Sequence, residues 1–334
     1  MRNAMCVGMG LALVAMARSH AQETSIPCPA GTSATDPAQL AQDACQMGID
    51  VFQVMAPQLG LALAGGNATL GQGGTLGGPG HFSIGIRGNV FRGDLPRVQD
   101  FPTPATTGRQ QRLGAQALPA ESQILGLPTA DLALGIFRGV PLGLTNVGGI
   151  DLLLSATYVP TIGDAGEDVR VEPDRNLQLG YGVRIGLLQE SLIVPGVSFT
   201  YLKRDLPKTS ISGEASTFDI LITDAQVKTS AYRVVASKSL TVLGLAAGIG
   251  QDRYDQSAMV QATSGAFASA VVPFEQKLTR TNYFLDVSLN LPVIKFIGEV
   301  GRVTGGTVDT YNEFQTGRAD KARTYGSVGI RIGI

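Results

Sequence analysis

The sequence predicts an all-β fold: a transmembrane, antiparallel, up-and-down β-barrel preceded by a short helical N-terminal segment. About ten strands are expected, or twelve if the stretch 215–222 ("ASTFDILI") holds another pair. Three observations predict this fold. Apolar and polar residues alternate over stretches of nine or more residues, the period of a strand with two unlike faces. The connections between these stretches alternate long and short. The first residues have the pattern of an export signal.

Composition narrows the partners. The chain has 334 residues, 44% apolar and only 16% charged, with a formal charge of −1. Soluble domains carry about 25% charged residues. No basic stripe appears, so nucleic acid is not an expected partner, and no polybasic segment suggests a charged membrane contact.

The elements follow in order. "MRNAMCVGMGLALVAMARSHAQE" opens with Arg2, continues apolar from Ala4 to Ala17 and offers a small-x-small site at Ser19 to Ala21. Residues 1–21 are therefore expected to be a cleaved signal peptide; the apolar run is too short to span a bilayer. Cys6 would leave with it. Cys28 and Cys45 remain and should bond in an oxidising compartment. Two cysteines and one mature histidine, His81, suggest no metal site, and nothing points to a cofactor.

From Asp36 to about Met55 the spacing suits a helix, with Leu40, Cys45, Met47, Val51 and Val54 on one face and Asp36-Pro37 as a start signal. "GGNATLGQGGTLGGPG" (65–80) follows. It lacks the lysine-serine ending of a phosphate loop, so it reads as a flexible connector or as a segment tucked into a narrow space. Residues 22–79 thus form a candidate plug, and 80–334 the barrel.

After Phe82 the period is two. Phe82, Ile84, Ile86 and Val90 alternate with Ser83, Gly85, Arg87 and Asn89; "NLQLGYGVRIGLL", "TNYFLDVSLN" and "SVGIRIGI" repeat the pattern. Strands are expected at 80–91, 129–138, 148–158, 176–188, 195–203, 226–238, 241–251, 279–290, 293–304 and 323–334. Their connections run 37, 9, 17, 6, 22, 2, 27, 2 and 18 residues. A sandwich has no reason to sort its loops this way, whereas a membrane barrel has short turns on one side and long loops on the other.

The tail "SVGIRIGI" resembles the C-terminal insertion signal of Gram-negative outer-membrane β-barrel proteins. Ser327, Gly329, Ile332 and Ile334 carry the likeness, with aliphatic Ile334 where the family usually ends in an aromatic. The resemblance implies localisation in the bacterial outer membrane, surrounding outer-membrane lipid, recognition by the barrel assembly machinery, and closure of the last strand on the first. The long-chain fatty-acid transporters offer a looser likeness, as barrels with an N-terminal plug.

With the apolar faces toward lipid, Arg87, Asp131, Asp151, Arg184, Arg233, Asp286, Lys295, Glu299 and Arg331 would face the lumen. Such a near-neutral mixture can pair with itself as a packing network or line a path for a small solute. Inward glycines suit a tight barrel. Tryptophan is absent, leaving Tyr158, Tyr181, Tyr201, Tyr232 and Tyr283 for an aromatic girdle. No enzyme is expected: His81 stands alone, and neither G-x-S-x-G nor H-E-x-x-H occurs. The acids of "DAGED" (164–168) and "DRYDQ" (252–256) read as solvated loop acids. The expected function is a narrow pore or transporter for small or apolar solutes. The alternatives are a sealed structural or interaction barrel acting through its long loops, and an outer-membrane hydrolase. Oligomeric state is not legible.

Overall fold

The computed structural model describes Cys28 and residues 36–103, 114–163 and 169–333. The expected signal peptide, the acids at 164–168 and Ile334 lie outside these. Ten strands form a closed antiparallel ring: β1 (Phe82–Pro96), β2 (Ala120–Phe137), β3 (Gly149–Tyr158), β4 (Leu177–Leu188), β5 (Gly196–Asp205), β6 (Asp219–Leu240), β7 (Leu243–Ser264), β8 (Val272–Asn290), β9 (Ile294–Thr304) and β10 (Arg323–Gly333). Each pairs with its sequence neighbours, and β10 closes on β1 from Ser83–Gly333 to Phe91–Tyr325. Following paired residues once round the wall, from Arg323 to Gly135, displaces the register by about a dozen residues on β1, the stagger that tilts strands in a closed barrel.

Five strands run further than expected, all at the long-loop end. β1 reaches Pro96, β2 begins at Ala120, β6 at Asp219 and β8 at Val272, and β7 continues to Ser264. The connection between β7 and β8 therefore shrinks to residues 265–271, yet long and short still alternate. Residues 219–222 pair with 260–263 as the top of β6 and β7, so this stretch adds no strand to the ring. A short strand, Thr209–Glu214, pairs onto β6 beside it, and a second, Val169–Pro173, pairs onto that one.

The strands looked shorter because their sidedness reverses. Near the short turns the outward residues are apolar: Ile84, Ile86, Leu152, Ile185, Leu245, Leu285 and Ile330 are all exposed. In the upper third the apolar residues point inward: Ile220, Ile222, Tyr254, Val260, Phe274 and Leu278 are all buried. Along β7 the apolar parity switches between Ile249 and Tyr254, which breaks the alternation while the strand continues.

What those inward residues cover is one helix, α1 (Asp36–Ala64). It extends past the expected end near Met55, through Pro57, because the barrel encloses it. Ten strands about 4.8 Å apart and tilted about 40° enclose a backbone tube roughly 20 Å across. A helix with side chains needs about 10–12 Å of that. Contact is therefore tight: a Cβ at Gly60 would lie 2.8 Å from the Tyr254 ring, and one at Gly48 2.8 Å from Ile220 and Val260. Phe52 meets Phe274 edge-on, centroids 5.8 Å apart. α1 is long and apolar enough to cross a membrane, yet it lies within the wall. At its upper end Cys45 is bonded to Cys28.

Candidate functional site

The lumen has two halves of different chemistry. α1 descends from the long-loop end and stops at Ala64, partway down. A helix C-terminus leaves its last carbonyls without donors and carries a partial negative charge, and α1 has no basic residue in its last turn. The wall supplies the donors. Asn89 Nδ2 donates to Ala62 O (3.2 Å), Arg204 Nη1 to Leu63 O (3.1 Å) and Arg233 Nη2 to Ala64 O (2.8 Å).

Below the helix, residues 65–80 fill the lower lumen as an ordered thread. The Asn67 amide donates to Glu299 Oε2 (2.8 Å) and its Nδ2 to Asp286 Oδ2 (2.9 Å). The Gly71 amide donates to Asp286 Oδ2 (2.8 Å). Arg331 Nη1 donates to Leu70 O (2.7 Å), and the Leu76 amide to Asp151 (3.1 Å). At Gly73 a Cβ would fall 2.5 Å from the Ser237 amide nitrogen, so only glycine passes there. Of the two readings of this glycine-rich stretch, the tucked segment is the one found.

Ion pairs lock the surrounding wall: Arg87–Asp131 (3.0 Å), Arg204–Asp131 (2.7 Å), Arg184–Asp151 (2.6 Å) and Arg233–Asp252 (2.5 Å). Arg184 also donates to Thr69 Oγ1. Thus Arg87, Asp131, Asp151, Arg184, Arg233, Asp286, Glu299 and Arg331 meet around the thread, and Lys295 sits half-buried near the short-turn rim. Ser327 donates to Asn89 Oδ1 (2.7 Å) or Glu299 Oε1 (3.0 Å), Gly329 faces Arg87 across the β10–β1 ladder, and Ile332 is exposed. Arg204 and Asp252 were missed because each lies one residue beyond an expected strand end. Arg280 and Arg323 share the inward parity of Asp286 and Arg331 and were readable on that ground. His81 opens β1, its carbonyl accepting the Gly135 amide.

The upper half is different. A cavity of about 890 Å³ lies between α1 and the wall of β1, β2 and β6. Val51, Met55 and Leu59 face it from the helix, and Leu125, Ile211 and Ile220 from the wall. Among the described residues, its charged lining is Arg97 and Glu121. β3 stops at Tyr158, one residue past its Thr157–Thr129 pair with β2. Above that point one edge of β2 has no strand neighbour among the described residues, and the cavity is lined from both sides of this gap, by 121–127 and by 159–162 and 169–171.

The loop 305–322 covers the polar side of the helix. Asp50, fully buried, accepts the amides of Tyr311 (3.1 Å) and Asn312 (2.9 Å), Asn312 Nδ2 (2.7 Å) and Gln46 Nε2 (3.1 Å). These partners are all neutral, and burial pushes its pKa up to about 6 despite the hydrogen bonds. Asp94 fixes the loop's far end through Arg323 (2.7 Å) and Lys321 (2.6 Å).

No family model matches this sequence, and no curated protein does. Among solved structures it is similar to the Pseudomonas putida toluene transporter TodX: 8% identity, TM-score 0.38, covering 81% of this chain and 96% of that one. It is also similar to the transport unit of the autotransporter AIDA-I from Escherichia coli: 8% identity, TM-score 0.32, covering 86% of this chain and 99% of that one. A third likeness is the anion-selective porin from Comamonas acidovorans: 10% identity, TM-score 0.19, covering 76% of this chain and 98% of that one. Likenesses this remote say nothing of solute or route.

Proposed function

We propose that this chain is an outer-membrane transporter for small, neutral, apolar solutes, a narrow pore closed by its own N-terminal segment. The cavity carries the reading. A void of about 890 Å³ lined mostly by apolar side chains suits an apolar guest. Arg97, the one cation lining the cavity among the described residues, pairs with Asp100 at 2.7 Å. The exposed apolar outer face supports a lipid setting. On this reading the short turns face the periplasm and the long loops the exterior.

The test is a crystal of the full chain soaked with a brominated hydrocarbon. An anomalous peak is expected in the cavity, and Leu59→Trp, which takes up part of it, should lower the peak's occupancy or shift it. An empty cavity in both proteins would favour the sealed interaction barrel instead.

A further inference from the structure

The outward charges of the wall are not spread evenly. Among the described strands, β5 to β9 each carry an outward cation near the upper border of the apolar band: Lys203, Lys228, Arg253, Lys277 and Arg302. The outward positions of β2, β3, β4 and β10 carry no charge at all. The β5–β9 side therefore presents an outward cation on every strand, where β2 and β4 present Ile124, Leu179 and Tyr181 and Arg92 of β1 is the exception among the described strands.

The registers sort these cations into rungs. Tyr201, Tyr232, Gln251 and Thr281 form one rung across β5 to β8, with the two tyrosine rings 5.2 Å apart. The next rung up reads Lys203, Ser230, Arg253, Thr279. It holds two cations, two hydroxyls and no acid. The rung above that reads Asp205, Lys228, Asp255, Lys277, an alternation that neutralises itself. The acid facing the cationic rung most closely is Asp205, 3.9 Å from Lys203. Arg253 lies over the Tyr232 ring at 5.3 Å, parked against the tyrosine that marks the lipid border.

Two cations two strands apart stand about 10 Å from each other, with hydroxyl donors beside them. That is a set of donors for phosphate oxygens at the height of a lipid headgroup. We infer that the Lys203–Ser230–Arg253–Thr279 rung binds the phosphorylated headgroup of an outer-leaflet glycolipid. The inference rests on the outer-membrane reading above. It also gives the barrel an orientation: phosphorylated lipid is held on the β5–β9 side, and the gap opens beside β2, where Arg97 and Glu121 line it.

The experiment uses full-length protein in mixed micelles doped with bisphosphorylated lipid A or its dephosphorylated form, with lipid binding read by native mass spectrometry. Lys203→Gln with Arg253→Gln should weaken lipid A binding about 30-fold, from roughly 1 kcal/mol per cation. Lys228→Gln with Lys277→Gln, one rung higher, should change it little. The dephosphorylated lipid should bind wild type as weakly as lipid A binds the first variant, and excess inorganic phosphate should not displace lipid A. Equal binding by wild type and the first variant, equal binding of the two lipids, or full displacement by inorganic phosphate would each overturn the inference. Both variants should still fractionate with the membrane and shift on heating, so a failed barrel is read separately from a failed lipid site.

Discussion

The two halves of the lumen solve opposite problems. Near the short turns the wall is apolar outside and polar inside, and the interior is packed with ion pairs, glycine and backbone. Near the long loops the wall is polar outside and apolar inside, and a helix leaves a large void beside it. On the transporter reading, the difference teaches where a solute would rest and where it would stop. A mostly apolar void costs little to fill, whereas a network of paired buried charges resists anything that removes one member.

Substitutions can break this comparison, and the largest effect belongs to the lower half. Arg184→Met leaves Asp151 buried and unpaired, which should cost about 3–5 kcal/mol. Adding Asp151→Leu should recover most of it, as read by urea midpoints in detergent or lipid. If Arg184→Met were no worse than the double variant, the lower half would not be a charge-locked septum.

That septum was only partly legible in the sequence. Period-two alternation revealed the wall and the inward position of Arg87, Asp151, Arg184 and Asp286, because a lipid-facing strand must show one apolar face. It did not reveal Arg204 or Asp252, because their strands pass through the border where sidedness reverses, and a pattern built on one phase ends there. The fate of the glycine stretch was equally hidden. Gly73 looks like any linker glycine until Ser237 stands 2.5 Å from where a side chain would begin. Nothing local in α1 told that its last carbonyls depend on Asn89, Arg204 and Arg233 far along the chain.

The outer face comes next in size. Leu285→Arg places a charge on the apolar band and should cost about 2–4 kcal/mol, lowering membrane yield. Normal yield would mean that the exposed leucines do not face lipid.

A smaller effect lies midway along the helix. With its pKa raised to about 6, Asp50 binds a proton more readily folded than unfolded. Its contribution is therefore complete below about pH 4 and is lost as pH rises through 6. Between pH 7 and pH 5 wild type should gain about 1 kcal/mol over Asp50→Asn. A flat difference across that range would mean the carboxylate is not desolvated beneath the 305–322 loop.

The smallest effect should be Leu59→Ala. It borders an existing void, so it should cost less than about 1 kcal/mol, well below the 2–5 kcal/mol of a packed leucine. A packed-core penalty there would show that the void is filled in the folded protein.

The most direct measurement is single-channel current in a planar bilayer, with full-length protein and with protein lacking residues 22–79. The full chain should pass no current, and the deletion should open a steady conductance, because among the described residues α1, the glycine thread and the ion pairs around it close the lumen. A deletion protein that inserts, shifts on heating and still passes no current would contradict the account.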